Sequence, residues 1–400
     1  MKNRIYYTPL GDVAAAVSNR VNVNNVEELY AAINDLTNAG KTIVLSPGTY
    51  TLNSNYPNGG RLDLLHNMSL VGQPGHAELV IIDVTGLPLT SYKLTETPRT
   101  ETAPIRMGNG YNAIEWITVQ NNIQNNSIKS LIQTDIDATP TTQIKVAHTI
   151  LQGSNIGLCI INRYPVNNDR IVEAEIENNE IRNNTVTPAN NTVPRFATGI
   201  QIQNSHGVAR AVITATLKGN HVHHNGNGIV VFNAAPRDTI SNQNSISIKS
   251  NADRFEDNGV GLALRGGVSS GAGGTAYQNS TLFEANGTII RNNQGDPLPS
   301  DINFPGGVYA VAGFVSATGV PGAVNNNELK IIFKGCPIDG NIGTNQINAY
   351  GAYSLNPSGP AGSHNTNEIH LHGVSKQATD SAINSVPDET PGTNTVNVFR

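Results

Sequence analysis

Three short segments repeat a pattern of charge that could move a proton: Glu180-Ile-Arg182, His221-Val-His223 and Arg254-Phe-Glu256 each flank one apolar residue with two polar ones. If the segments are neighbouring strands, residues two apart share a face and strands lie about 4.8 Å apart. Glu180, His221 and Arg254 then form one column and Arg182, His223 and Glu256 the next. Each column sets a histidine between a carboxylate and a guanidinium, the minimum for a base, a proton donor and a charge stabiliser acting on an acidic substrate. An exposed ion-pair ladder of little energetic value needs the same residues, and that plain role carries more weight.

A second set belongs to the strand that follows in each unit and the turn after it. Arg163, Arg237 and Arg265 fall where they could hold the carboxylates of a uronic-acid polymer, with His206, His223 or Asp238 exchanging the proton. Gln201, Gln203, Tyr309 and Tyr353 lie on that strand's outward face as hydrogen-bonding and stacking residues for a sugar. Hydrolysis or glycosyl transfer needs two convergent carboxylates, for which Asp238 with Glu256 or Asp257 are the candidates. Asp135 and Asp137 share a strand face and offer a calcium site or an acid pair, but no calcium motif accompanies them, so the cofactor stays undetermined. His221 and His223 also share a face. They lack a third ligand in a neighbouring column, and no metal site is expected.

What must position these residues is a repeat. Thr149–Ile160, Glu180–Asn184, His221–Val231, Arg254–Leu264, Thr288–Asn292 and Cys336–Gly340 align as apolar, polar, polar, Asn, Gly, then Gly-apolar-x-apolar. Their spacing of roughly 30 to 50 residues is that of stacked units with variable insertions. Alternation at period two turns apolar side chains into a narrow core, and Asn or Gly between strands accepts a left-handed turn. Stacked Asn184, Asn225, Asn258 and Asn292 could ladder their amides from coil to coil. Before the repeat, Asn25 and Glu28 form a capping box, and Val26, Leu29, Ile33 and Leu36 recur at helical spacing up to Gly40. The expectation is an all-β chain, one right-handed parallel β-helix of about nine coils. Residues 1–400 form a single domain, with a capping α-helix in 22–40, coils over 41–373 and a tail or cap over 374–400. Segments 87–104, 164–170, 185–196, 266–280 and 295–306 are expected as insertions.

With 14% charged residues, 39 glycines and a net charge of −5, the chain has no basic stripe for nucleic acid and no apolar run of membrane-spanning length. Two distant cysteines make a disulfide or a thiolate metal cluster unexpected. The third-strand stripe through Cys159, Val230, Ala263, Tyr309 and Tyr353 is too apolar for a solvated face, so a loop, the tail, a bound sugar or a second subunit should cover it. A homotrimer of parallel solenoids is one such arrangement.

The helix at 25–39, the Thr42–Leu52 segment, Ser69-Leu-Val-Gly-Gln-Pro-Gly75 and the Asn-Gly-x-Gly coils together resemble the pectate-lyase-like superfamily of right-handed β-helices, over nearly the whole chain. The resemblance implies the fold and a carbohydrate-active setting, but the superfamily houses many activities. The chain has no adjacent Asp pair like that of polygalacturonases, and Trp116-Ile-Thr-Val119 stands where pectate lyases carry a Trp-Ile-Asp-His segment. Those two activities are disfavoured. What is expected is cleavage or rearrangement of a poly- or oligosaccharide, by a lyase or epimerase or by a glycosidase or fructan-type transferase, in a groove along the middle coils. The alternative is a non-catalytic glycan-binding or structural solenoid. The expected location is secreted or periplasmic, with a leader outside this sequence; a cytoplasmic one is left open.

Overall fold

A computed structural model of the chain describes residues 19–87, 92–93, 100–101, 103–122, 130–134, 141–163, 169–185, 197–205, 208–295, 306–315, 322–342, 345–354, 362–376, 378, 384–386 and 394–400. The chain winds through three parallel sheets in turn. The first holds twelve strands from Arg20–Val23 to Thr395–Phe399, the second nine from Gly48–Thr51 to Ile338–Asp339, and the third ten from Leu62–Asp63 to Asn384–Val386. Each strand pairs with its equivalent one coil on, as when Ile171–Glu177 lies beside Thr141–Ala147 on one side and Val212–Lys218 on the other. This is a right-handed parallel β-helix, the hand that a parallel crossover between right-twisted strands favours.

Alternation decides which side chains enter the lumen. In Val212–Lys218, Ile213, Ala215 and Leu217 are buried while Thr214 and Lys218 are exposed, and the equivalent inward residues of each coil merge into one continuous core. Sharp corners separate the first sheet from the second and the second from the third. At the second corner Asn183, His224, Asp257 and Asn292 take left-handed backbone, with φ of 55°, 54°, 54° and 56°. The residue after each of these turns inward as a buried asparagine.

Those asparagines form the ladder. Asn184 Nδ2 donates to Asn225 Oδ1 at 2.9 Å, Asn225 to Asn258 at 3.1 Å, Asn258 to Asn293 at 3.2 Å and Asn293 to Asn341 at 2.8 Å. Asn293, not Asn292, is thus the fourth rung; Asn292 makes the turn itself. The ladder also explains the glycine column at the start of the third-sheet strands. A Cβ on Gly157, Gly199, Gly228, Gly261 or Gly307 would approach the Nδ2 of Asn184, Asn225, Asn258, Asn293 or Asn341 to between 2.8 and 3.2 Å, and the next coil's carbonyl to 2.9 Å or less. The Asn-Gly-x-Gly signature is therefore a steric pairing between a buried amide and the missing side chain beside it.

Three expectations need correction. The segment expected as a helix over 22–40 begins as strand Arg20–Val23, paired with Thr42–Leu45; the α-helix is Val26–Asn34, followed by a 3-10 turn at Leu36–Asn38. Residues 266–280 are not an insertion: the strand Val260–Ser269 runs through Gly266 and Gly267, and Thr275–Tyr277 joins a small sheet with Ile240–Asn242 and Ala323–Asn325. The glycines suit this strand because a Cβ on Gly266 would meet Ala312 O at 2.5 Å and one on Gly267 the amide of Asn327 at 2.4 Å. Stacking also continues past residue 373, through Asn384–Val386 and Thr395–Phe399.

Candidate functional site

The second sheet brings the expected columns together. Glu180 pairs with His221 and His221 with Arg254; Arg182 pairs with His223 and His223 with Glu256. Because Ile181, Val222 and Phe255 point into the core, the polar residue on either side of each must point out. The second column continues through Arg291, whose Nε donates to Asp339 Oδ1 at 2.5 Å.

Within the cluster, His221 and His223 stack with ring centroids 4.1 Å apart. His223 Nε2 lies 3.3 Å from Glu180 Oε1, and its Nδ1 lies 2.7 Å from His224 Nδ1. Two ring nitrogens this close require one to donate and one to accept, so at least one of these two nitrogens is unprotonated. His221 Nε2 lies 3.4 Å from Glu256 Oε2, which also accepts from Arg254 Nη2 at 2.7 Å. On the other side, Arg182 reaches Glu180 Oε1 at 2.5 Å and Gln152 Oε1 at 2.9 Å. Burial, then the charge of Arg254, holds the His221 pKa below the usual imidazole value; burial, then His221, does the same for His223. Both shifts favour the neutral imidazole, with carboxylates and guanidiniums in reach. Side-chain exposure is 13% at His223 and 9% at Glu256, against 53% at Arg254, so the guanidinium is the outermost group.

The other expected residues are not gathered at this cluster. Asp257 is exposed in the left-handed corner just after Glu256. Arg237 and Asp238 are exposed on the turn before Ile240–Asn242, off the second sheet, so the carboxylates of Asp238, Glu256 and Asp257 sit on different elements and no hydrogen bond joins them. His206, Asp135 and Asp137 lie outside the described residues. Arg163 closes the strand Ile156–Arg163 opposite Ser205.

The apolar stripe on the third sheet's outer face is buried, as its composition implied. Cys159, Gln201, Val230, Ala263 and Tyr309 do form one column, yet Tyr309 is only 1% exposed, and Gln203 is buried as well. Tyr309 is thus packing, in a second apolar cluster with Val230, Ala263, Val311, Phe314 and Tyr350, and not a displayed platform for a sugar. Arg265 lays its guanidinium over Phe314 at 4.8 Å and Tyr309 at 5.9 Å from the ring centroids, so its charge faces aromatic rings. Tyr353 is displaced from the expected column: Asn348 is the partner of Tyr309, and Tyr353 pairs with Phe314. The pairing of Val308–Val315 with Ile347–Ser354 is regular; the sheet's one register shift, a single extra residue at Arg265-Gly266 opposite Phe232, lies between Asn227–Ala235 and Val260–Ser269.

A feature that the expected columns missed lies on the first sheet. Tyr111, Gln143, Glu173, Thr214 and Ser247 are successive rungs of one outward column, with Glu175, Thr216 and Lys249 on the next. Together they line an open groove of about 360 Å³. No motif marks it; the only signal was alternation in Thr141–Ala147, Ile171–Glu177 and Val212–Lys218. Among the described residues, no three His, Cys, Asp or Glu side chains converge as for a metal, and no helix is long and apolar enough to cross a membrane.

No family model and no curated protein matches the chain. Among solved structures it is similar to the A-module of mannuronan C-5 epimerase AlgE4 from Azotobacter vinelandii, at 14% identity and a TM-score of 0.33 over 88% of this chain and 99% of that one. It is also similar to pectate lyase Pel9A, at 14% identity and 0.35 over 92% and 75%. An endo-xylogalacturonan hydrolase from Aspergillus tubingensis gives 13% and 0.33 over 90% and 94%. The parallel ladders described above make the architecture a right-handed parallel β-helix.

Proposed function

We infer that the chain processes an acidic polysaccharide, by β-elimination or C5 epimerisation, at the second-sheet cluster. The observation that carries this reading is the stacked His221–His223 pair within reach of Glu180 and Glu256, with the half-exposed guanidinium of Arg254 outermost. A uronate carboxylate would pair with Arg254 or Arg182, which lowers the cost of the enolate-like charge that forms when the proton on C5 leaves. A neutral imidazole takes that proton. In elimination the C5–H electrons form the C4–C5 double bond as the C4–O bond breaks, and the departing oxygen takes a proton; in epimerisation C5 is reprotonated on its other face. The neighbouring carboxylates hold the imidazolium between the two steps.

The test is incubation of the full chain with alginate, pectate and hyaluronan, following absorbance of the unsaturated uronate and deuterium uptake at C5 from heavy water. The expected result is one of these signals, with the rate falling on the acid side as the imidazoles protonate. His223→Gln should reduce it at least 100-fold, the lower end of what a positioned base supplies. Absence of both signals on all three polymers overturns the reading and leaves the cluster as an ion-pair ladder.

A further inference from the structure

We propose that the first-sheet groove is a binding track for a neutral oligosaccharide, separate from the second-sheet cluster and not dependent on its chemistry. The track is set by register. One column steps from Tyr111 and Gln143 through Glu173 to the short side chains of Thr214 and Ser247, and the flanking column steps from Glu175 through Thr216 to Lys249. Long side chains at Tyr111, Gln143 and Glu173 give way to the short Thr214 and Ser247, and Thr216 lies between Glu175 and Lys249, which leaves a trough of about 360 Å³, near the lower end of small-ligand sites.

The lining selects the ligand class. Glu173 and Glu175 contribute two carboxylates and Lys249 one ammonium, so a polyanion would meet net negative charge, whereas a neutral polyol meets acceptors and donors in alternation. A carboxylate can accept from two vicinal sugar hydroxyls, while Thr214, Thr216 and Ser247 both donate and accept. Glu173 is already held in place by Gln143 Nε2 at 2.7 Å. At one end Tyr111, 43% exposed, offers a ring on which a pyranose can stack. Coils repeat every ~4.8 Å, close to the advance of an extended pyranose chain, so a saccharide lying along the solenoid axis meets about one coil per sugar.

The experiment is titration of the full-length protein with cellotetraose, mannotetraose and N-acetylchitotetraose, read by calorimetry and by saturation transfer to the sugar protons. One of the three is expected to bind, with affinity reduced at least 10-fold by Tyr111→Ala and abolished by Thr214→Arg, whose long side chain fills the trough beside Glu173. Both positions are on the surface, and an unchanged melting temperature verifies folding. Binding should persist in His223→Gln, so loss of acidic-polymer turnover and loss of neutral-sugar binding are read separately. No binding by any of the three, or binding that survives Thr214→Arg, overturns the proposal.

Discussion

Two ladders of buried polar side chains run up neighbouring corners of this solenoid and handle the same geometric problem differently. At the corner between second and third sheets every rung from Asn184 to Asn341 is asparagine. At the corner between first and second sheets Asn179 donates to Asn220 at 2.9 Å, Asn220 to Asp253 at 2.8 Å, and the next position is Thr288. An amide both accepts and donates, so a rung of asparagine passes the pattern on, whereas a carboxylate only accepts and must end it. Ser250 makes the ending tolerable by donating to Asp253 Oδ2 at 2.6 Å. Burial nevertheless pushes the Asp253 pKa from 3.8 up to about 6. An amide ladder is indifferent to pH, and a ladder closed by an acid is not.

The comparison is broken most severely by Asn225→Asp, which puts the acid where no serine compensates. The new Oδ2 would face Ile181 O and Asn258 Oδ1, both now served by Asn225 Nδ2. We expect a loss of ~4 kcal/mol at pH 7 in urea unfolding, part of it recovered near pH 4 as the carboxyl protonates. Next comes Asn258→Ala, which leaves the backbone N–H of Asn225 without the acceptor it has at 3.0 Å. Its cost should be ~3 kcal/mol and independent of pH.

Asp253→Asn sharpens the contrast in the other direction. Because the folded pKa lies above the unfolded one, the contribution of Asp253 to stability is fully present below about pH 3.8 and lost as pH rises through about 6. The asparagine variant should gain up to ~3 kcal/mol at pH 7, from two pKa units at ~1.4 kcal/mol each, and nothing near pH 3.5. Equal gains at both pH values would show that the carboxyl is not the cause.

The smallest effect belongs to the imidazoles. Their folded pKa values are lowered, so His221 and His223 add stability above the unfolded value of 6.5 that is lost as pH falls below it, opposite in sign to Asp253. In the Asp253→Asn background, replacing both by glutamine should flatten the remaining slope between pH 5 and 7 by under ~1 kcal/mol, since solvent screens these half-buried groups.

The columns of the second sheet were legible because Ile181, Val222 and Phe255 each sit between two polar residues, which fixes face and register together. The corner between second and third sheets was legible only approximately: Asn292 and Asn293 are adjacent and identical in type, and nothing in the sequence says which one turns and which one points inward. The strand through Gly266 and Gly267 was hidden for a related reason, since a glycine pair that marks a loop elsewhere here answers the close approach of Ala312 and Asn327. Tyr309 was placed in its column correctly and the apolar stripe around it implied a cover, but which groups supply that cover is a tertiary property that no local pattern encodes. The first-sheet groove had no signature beyond alternation, because a trough set by where long side chains give way to short ones exists only once five coils are stacked.

Every described ladder amide points the same way. Nδ2 of each rung faces the following coil in Asn162 to Asn204 to Asn233, in Asn184 to Asn341, and in Asn244 to Asn279, Asn327, Asn365 and Asn394. Their dipoles therefore add along the solenoid, positive toward the C-terminal coils, the reverse of an α-helix, whose positive end is N-terminal. Asp253 stands where the amides of Asn179 and Asn220 aim their positive ends. It serves this short electrical column as an anion serves the start of a helix, and part of the cost of burying its charge is met by the stacking that buries it.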